Sequence, residues 1–166
     1  MNFKGKTHKF GDDVNTDYII SGRHKFKTLD MKELAKHVME DLDPEFYSKI
    51  NKGDFIVAGK NFGCGSSREQ APLAIINADI SAVIAKSFAR IFYRNAINTG
   101  LPLLECDTDL INPGDELEVD LSQGNIRNLT QGVDIEVTPL PRVMLKILSE
   151  GGLVEHFKKN GTFNLD

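Results

Sequence analysis

Short apolar runs alternate with amphipathic segments through the middle of the chain, and this pattern predicts strands and helices in turn. Three runs are short and apolar, as buried strands are: DFIVAG at 54–59, SAVIA at 81–85 and LPLLE at 101–105. Between them, residues 68–77 and 87–100 carry apolar positions at helical spacing. Ser87 is predicted to cap the second of these helices and Gly100 to end it. Strands that alternate with helices are joined by crossovers and pair in parallel.

The first forty positions have a less regular pattern. Residues 7–10 are a short strand candidate, and the turn residues and β-prone end of 11–20 (GDDVNTDYII) predict a loop that leads into a strand. A basic loop follows. Asp30 is then predicted to cap a helix over residues 31–40, because Glu33 at the third helical position completes a capping-box-like pattern.

The last third of the chain changes to strict alternation of apolar and polar positions. Residues 111–138 combine this alternation with turn dipeptides, which predicts antiparallel strands joined by hairpins. Pro141 is expected to open a helix that runs to about Glu150, and a last helix is expected near 153–159. We therefore predict one domain over residues 1–166, of the α/β class with a mixed sheet.

Charge and composition exclude several classes of partner. The chain has 20 Lys and Arg against 24 Asp and Glu, a net charge of -4, and no block of like charge, which disfavours a nucleic-acid partner. No apolar run approaches the roughly 18 residues of a membrane span, so no membrane segment is expected. Two cysteines, Cys64 and Cys106, are too few for a disulfide framework, and no apolar leader is evident, so a cytoplasmic setting is expected. No metal is expected on this chain, since the histidines show no ligand spacing along the sequence: His8, His24, His37 and His156.

The stretch NFGCGSSREQ, residues 61–70, carries the strongest chemical signal. It lies between a buried strand and a predicted helix, which we expect to begin just after Ser66 or Ser67. Hydroxyls and free backbone N–H groups at a helix N-terminus bind anions, and the guanidinium of Arg68 suits a carboxylate. The same N–H groups would stabilise an alkoxide, so a serine here could act as a base. The alternative from these residues alone is a serine helix cap beside a surface arginine.

Other readings of this stretch are weaker. It has no Lys-Ser/Thr pair for a Walker-type phosphate loop and no G-x-S-x-G nucleophile elbow. Cys64 could be a thiol nucleophile, but no histidine is evident to pair with it, so a structural or spectator role is favoured.

Three blocks together resemble one known family. GDDVNTDYII, DFIVAGKNFGCGSSREQAP and IAKSFARIFYRNAINTGLPLLE are similar to the small subunits of 3-isopropylmalate dehydratase, a family related to the C-terminal swivel domain of aconitase. The resemblance covers roughly residues 1–160. It implies a swivelling β/β/α domain with a mixed sheet flanked by helices, in agreement with the strand pattern.

The resemblance also implies a division of labour between two chains. In this family a separate large subunit carries a [4Fe-4S] cluster on three cysteines, and the small subunit closes the site around a small dicarboxylate substrate. Carried over by motif, Ser66 corresponds to the general base that removes a proton from the carbon next to a carboxylate. Ser67 and Arg68 correspond to residues that hold the substrate.

Two further positions match substrate-binding residues of the family. Asp17 matches an active-site position, with an Asx turn or helix-cap contact as the alternative role. Arg23 aligns with a loop arginine beside the substrate. The residues after Arg23 are expected to contact the variable substituent of the substrate: His24, Lys25, Phe26 and Lys27. Arg90 and Arg94, on the predicted amphipathic helix, are expected to be solvated or structural charges.

The specificity loop leaves several substrates open. The family often has a Tyr-Leu pair after this arginine, whereas this chain has His24 and Lys25. Phe26 falls where homoaconitases place an arginine, so an apolar substituent is favoured over a third carboxylate. Isopropylmalate, with leucine biosynthesis as its pathway, leads over dimethylmalate, citraconate and homoaconitate. A hypothesis of another class is a non-catalytic anion-binding module, which Ser66→Ala would distinguish.

Overall fold

A mixed sheet of seven strands runs through the protein. The computed structural model describes residues 1–25 and 30–162, without the side chain of Lys25. In chain order the strands are β1 (Asn2–Lys9), β2 (Phe55–Val57), β3 (Ala82–Ala85), β4 (Leu103–Glu105), β5 (Glu116–Asp120), β6 (Asn125–Asn128) and β7 (Val133–Glu136). Their spatial order is β4-β3-β2-β1-β5-β6-β7.

Strand β1 lies at the junction of two halves that differ in direction. It pairs in parallel with β2, with Thr7 opposite Phe55, and antiparallel with β5, with Lys6 opposite Glu116. Strands β2, β3 and β4 continue the parallel half, and β5, β6 and β7 form the antiparallel half. The predicted change of pattern along the chain is confirmed, and β1 is longer than the predicted strand at 7–10.

Eight α-helices and one 3₁₀ helix (Thr108–Leu110) connect or flank these strands within the described residues. The α-helices are α1 (Thr16–Ile19), α2 (Gly22–Lys25), α3 (Met31–Ala35), α4 (Phe46–Lys49), α5 (Gln70–Asn77), α6 (Arg90–Thr99), α7 (Arg142–Ser149) and α8 (Leu153–Asn160). The predicted helices α5, α6, α7 and α8 are confirmed. Pro72 is the third residue of α5, where its missing N–H disrupts no intrahelical hydrogen bond.

The expectation of a loop leading into a strand at 11–20 is wrong. This segment contains the single-turn helix α1, because the Asn15 side chain accepts a hydrogen bond from the Asp17 N–H at 2.8 Å and caps the turn. Ile19 and Ile20 are β-branched and suit a strand. Ile19 is nevertheless the last residue of α1 and Ile20 its C-cap, and both side chains are fully buried there. Tertiary burial has therefore overridden local propensity.

Two predicted helix boundaries also need correction. Asp30 caps α3 as predicted, but α3 ends at Ala35, because the Met39 N–H donates to the Ile19 carbonyl of α1 instead of continuing the helix. Helix α6 begins at Arg90 without a Ser87 cap. The Ser87 hydroxyl instead accepts a hydrogen bond from the Asn61 N–H at 2.8 Å.

The parallel strands are buried on both faces. On one face Ile56 and Val83 pack in a core with α1, α3, α5 and α6. On the other face Phe55 and Ile84 pack in a second core with residues of β5, β6 and β7 such as Val119. The sheet therefore curls so that its antiparallel half covers one face of its parallel half, and the helices cover the other. No helix among residues 1–25 and 30–162 has the length and apolarity that crossing a membrane would need.

Candidate active site

The loop that follows β2, which we call the serine loop (residues 61–69), lies beyond the carboxyl ends of the parallel strands. On one side the Gly63 N–H donates to the carbonyl oxygen of Val14 at 2.8 Å. On the other side the Phe62 N–H donates to the carbonyl oxygen of Ser87 at 3.0 Å. Backbone hydrogen bonds to the segments after β1 and β3 thus hold the loop at the sheet edge where α/β proteins commonly bind ligands.

Two glycines allow this loop to lie close to its neighbours. Gly63 has φ +84°, and a Cβ there would lie 2.2 Å from Cγ of Phe92. Gly65 has φ +96°, and a Cβ there would lie 2.6 Å from Oδ1 of Asn15. Both backbone conformation and space therefore require glycine at these positions.

Helix α1 is fixed directly to the serine loop through Thr16. The Thr16 N–H donates to the carbonyl oxygen of Cys64 at 2.8 Å, and the Thr16 hydroxyl donates to the carbonyl oxygen of Ser66 at 2.9 Å. Thr16 is buried, so both bonds are shielded from water. The adjacent Asp17 is consequently held beside the loop.

The two serines of the loop are exposed but differ in their contacts. The Ser67 hydroxyl accepts a hydrogen bond from Nδ2 of Asn95 on α6 at 3.2 Å. The Ser66 hydroxyl has no hydrogen-bond partner among the residues that the structure describes. It is therefore open to a substrate.

The expected helix start just after Ser66 or Ser67 is wrong, because α5 begins at Gln70. The bond from Thr16 holds Ser66 outside the helix. Free donors are nevertheless present. The backbone N–H groups of 65–68 donate no hydrogen bond within the described parts of the chain. Successive free N–H groups of this kind bind anions without a helix terminus.

Arg68 is the cation at this site. Its side chain is only 16% exposed, and Nη1 donates to the carbonyl oxygen of Ile20 at 3.1 Å and pairs with the carboxylate of Asp17. Nη2 and Nε have no hydrogen-bond partner in the described regions. Nη2 lies 3.6 Å from the position of a Cβ on Gly22, so α2 begins beside the guanidinium. Two oriented donors remain for a carboxylate.

The geometry thus brings together four of the residues predicted from sequence: Asp17, Ser66, Ser67 and Arg68. Asp17 also makes the helix-cap contact proposed as its alternative role, through its backbone N–H to the Asn15 side chain, while its carboxylate pairs with Arg68. Sequence reasoning missed Asn15, Thr16 and Asn95. The preference of asparagine for helix caps could have indicated Asn15, but the contact of Asn95 is tertiary and has no local signal.

Arg23 is not joined to this group by its side-chain contacts. Its Nη2 donates to Oε1 of Glu40 at 3.2 Å and to Oδ1 of Asp41 at 2.8 Å, and its side chain is 57% exposed. Its predicted contact with the substrate stays a prediction.

Of the predicted specificity residues, the structure describes the side chain of His24 alone. His24 pairs with the carboxylate of Glu40. Phe26 and Lys27, like the side chain of Lys25, lie outside the described residues.

Neither cysteine is activated as a nucleophile. Burial and the nearby Asp13 carboxylate raise the pKa of the Cys64 thiol above its ordinary value. Burial and the nearby Asp107 raise the pKa of Cys106 to about 12. Both groups are therefore neutral thiols at neutral pH, which favours the spectator role expected for Cys64.

Arg90 and Arg94 have no side-chain hydrogen bond or ion pair with the serine loop in the part of the chain that the structure describes. Both are exposed and line a groove of about 440 Å³ between α6 and α7, together with apolar side chains such as Tyr93 and Met144. None of the predicted site residues whose side chains the structure describes lines this groove.

Comparisons with known proteins point to one family. Residues 13–108 match the aconitase C-terminal domain family. The chain is 62% identical to a 3-isopropylmalate dehydratase small subunit 2 of Archaeoglobus fulgidus, over 99% of this chain and 100% of that protein. It is 58% identical to the 3-isopropylmalate dehydratase small subunit of Caldicellulosiruptor bescii, over 95% of this chain and 96% of that protein. A crystal structure of 3-isopropylmalate dehydratase from Methanocaldococcus jannaschii superposes with a TM-score of 0.93 at 51% identity, covering 97% of this chain and 96% of that one.

Proposed function

Because the chain belongs to the 3-isopropylmalate dehydratase small subunits of the aconitase superfamily, we propose that it is the small subunit of a two-chain hydro-lyase. The enzyme isomerises 2-isopropylmalate to 3-isopropylmalate by dehydration and rehydration, a step of leucine biosynthesis in the cytoplasm. One observation carries this proposal for the chain itself. Within the described residues, the serine loop presents a hydroxyl of Ser66 without a hydrogen-bond partner, and the same loop carries unpaired donors on Arg68 and on its own backbone.

Binding begins with a carboxylate of the substrate. In this proposal the free Nη2 and Nε of Arg68 grip one carboxylate in a bidentate pair, while Nη1 stays bonded to Ile20 and Asp17. Because Asp17 fixes the guanidinium plane, little side-chain freedom is lost when the substrate binds. The Ser67 hydroxyl, oriented by Asn95, supplies a further donor.

Ser66 then acts on the carbon next to a carboxylate. As an alkoxide, its Oγ accepts the proton of that carbon, the electron pair forms the double bond, and the hydroxyl leaves the neighbouring carbon. Water then adds to the double bond in the opposite sense: its hydroxyl goes to the carbon that lost the proton, and its proton goes to the carbon that lost the hydroxyl. The free N–H groups of 65–68 and the charge of Arg68 favour the alkoxide, because both stabilise negative charge on Oγ.

The leaving hydroxyl requires a group that this chain does not supply. Three thiolate ligands for a cluster cannot come from Cys64 and Cys106, which are the only two cysteines of the sequence. We propose that a large subunit holds a [4Fe-4S] cluster, which when bound supplies a Lewis acid for the hydroxyl and a substrate carboxylate. The residues of this chain fit the complementary part of such a site, since they bind an anion and hold a base.

The same partner would close the site. Ser66, Ser67 and the neighbouring Tyr18 are all exposed, and Tyr18 is 46% exposed despite its large aromatic ring. Exclusion of water strengthens the electrostatic interactions on which an alkoxide base depends. A chain with an open base is therefore expected to be active only when a second surface covers it.

The test is an anaerobic assay of this chain mixed with the cluster-loaded large subunit from the same genome. It offers 2-isopropylmalate, dimethylmalate, citraconate and homocitrate in parallel, with each chain alone as the control. We expect turnover in the mixture only, with the highest kcat/KM for 2-isopropylmalate. Preference for another substrate would replace the named reaction with a related hydratase. Absence of all turnover, with dicarboxylate binding by this chain alone, would favour the anion-binding module.

A further inference from the structure

A second cluster of polar side chains lies where α2 meets the turns that follow α3. His24, His37 and Glu40 each offer one ligand atom, and these atoms all lie within 4.8 Å of one another. The two imidazole rings are stacked, with centroids 3.8 Å apart and planes 7° from parallel. Because the fold joins His24 to residues well beyond it in the chain, spacing along the sequence gave no sign of this cluster.

Both histidines direct a ring nitrogen at the same carboxylate. Nδ1 of His37 lies 2.8 Å from Oε2 of Glu40, and Nε2 of His24 pairs with Oε1. His24 is 14% exposed, Glu40 22% and His37 39%, so the three ligands are shielded on one side and reachable from the other. This arrangement leaves an entry path for a small ion.

We propose that His24, His37 and Glu40 form a binding site for a zinc-class divalent cation. Around a tetrahedral zinc with bonds of about 2.0–2.2 Å, ligand atoms lie about 3.3–3.6 Å apart, a spacing within the 4.8 Å of the present cluster. The two stacked rings must rotate out of their parallel arrangement so that both nitrogens point at the ion. Two imidazole nitrogens and one carboxylate oxygen suit zinc, cobalt and iron, whereas magnesium and calcium prefer oxygen ligands throughout.

The neighbouring charges fit a site of moderate affinity. Arg23 donates to Oε1 of Glu40, to Asp41 and, through Nε, to Nε2 of His24 at 3.3 Å, so its positive charge opposes the ion at close range and the side chain must leave for the ion to bind. Its side chain is 57% exposed and can move into solvent when an ion binds. Asp41 would then remain near the site as an additional negative charge.

Such an ion would connect two segments that otherwise meet through side-chain hydrogen bonds. His24 belongs to α2, which carries Arg23 and precedes the predicted specificity residues, whereas His37 and Glu40 belong to the turns after α3. Binding would therefore fix the position of α2 next to Arg68, beside which Gly22 already lies.

The first test uses the full chain alone, freed of metal by a chelator. Titration with Co²⁺ should produce visible d–d absorption bands that saturate at one ion per chain, and Zn²⁺ should remove these bands. His24→Gln and His37→Gln should each weaken Co²⁺ binding by at least about 100-fold, since loss of a group that only hydrogen-bonds to a metal ligand already costs about 10- to 100-fold. His8→Gln, which alters a histidine bound to Asp54, is the matched control and should leave binding unchanged.

A second measurement needs no variant and so does not depend on variant folding. In the unaltered chain, Co²⁺ should broaden the ring NMR signals of His24 and His37 while those of His8 and His156 stay sharp. The proposal is overturned if no saturable bands appear, if the bands persist in either His24→Gln or His37→Gln, or if the signals of His8 or His156 broaden instead.

Discussion

In the antiparallel half of the sheet Asp115 is buried, whereas in the parallel half Asp17 is exposed at the rim of the serine loop. Asp115 accepts hydrogen bonds from Nδ2 of Asn128 at 2.8 Å and Nε2 of Gln131 at 2.6 Å. Asp17 pairs with Arg68, whose remaining donors have no partner within the described residues. One aspartate completes a closed network that holds strands together, and the other pairs with a cation in the site proposed for the substrate. The hydrogen-bond donors that are available for a ligand therefore lie at the carboxyl edge of the parallel half.

The largest effect should follow from removing the open cation. Arg68→Gln is expected to lower kcat/KM of the two-chain enzyme by about 10²- to 10⁴-fold, because two charged hydrogen bonds of about 1.5–3 kcal/mol each are lost. Steady-state kinetics with saturating large subunit measures kcat/KM of the variant and of the unaltered enzyme. Arg94→Gln, an exposed arginine on α6, is the control and should change kcat/KM little. Equal losses in both variants would contradict a specific role for Arg68.

The next effect concerns the fixed position of the serine loop. Gly63→Ala should lower the free energy of unfolding by about 2–4 kcal/mol, because the methyl group would overlap the Phe92 ring and φ is positive. Gly114→Ala shares a positive φ of +83° but meets no atom within 4 Å, so it should cost only about 1–2 kcal/mol. Urea unfolding compares the two. Similar midpoints would mean that the loop can move away from α6.

Asp115 should make the antiparallel half sensitive to acid. Burial alone would raise its pKa, but hydrogen bonds from Asn128, the Asn112 N–H and Gln131 outweigh burial and lower the pKa below its ordinary 3.8. The stabilisation is therefore complete above pH 3.8 and is lost as pH falls through the folded-state pKa.

Asp115→Asn should lower the free energy of unfolding at pH 7 by about 1–2 kcal/mol, since the charged hydrogen bonds become neutral ones. Below pH 3.8 the difference from the unaltered chain should shrink. Denaturant unfolding across pH measures both, with the exposed Asp134→Asn as control. If the difference in unfolding free energy between the two proteins grew in acid, the assigned direction of the Asp115 pKa shift would be contradicted.

The smallest effect should come from the link between α1 and the loop. Thr16→Val keeps the shape of the side chain but removes the hydrogen bond to the Ser66 carbonyl, at a cost of about 1 kcal/mol in stability. Ser66 should also be less well oriented, so kcat should fall while KM changes little. Unfolding and kinetics on the same preparation separate the two effects. An unchanged kcat would show that α1 does not orient Ser66.

Local patterns predicted much of the fold. The buried strands β2 and β3 were identified because their apolar runs are continuous, and the antiparallel half because its alternation is strict. Helix α1 was not predicted, because Ile19 and Ile20 suit a strand. The Asn15 cap and the burial of the two isoleucines favour the helix instead. The Ser87 cap was wrong because a distant backbone N–H, that of Asn61, uses its hydroxyl.

The site was predictable as far as it lies in one loop. Glycines, serines and Arg68 fall together in the sequence, so their common location needed no tertiary information. The pairing of Arg68 with Asp17, and the position of Arg23 against Glu40 and Asp41, depend on how α1 and α2 pack. Such contacts between distant segments cannot be predicted from the spacing of residues along the sequence.

The most direct test of the central claim compares the two neighbouring serines of the loop. Ser66→Ala and Ser67→Ala remove the same atom from adjacent exposed positions, and kcat and KM are measured for each in the two-chain enzyme with 2-isopropylmalate. The account predicts that Ser66→Ala lowers kcat by about 10²- to 10⁴-fold with little change in KM, as loss of a general base does. Ser67→Ala should mainly raise KM. A Ser66→Ala enzyme that keeps its kcat, or loses no more than Ser67→Ala, would contradict the assignment of Ser66 as the base.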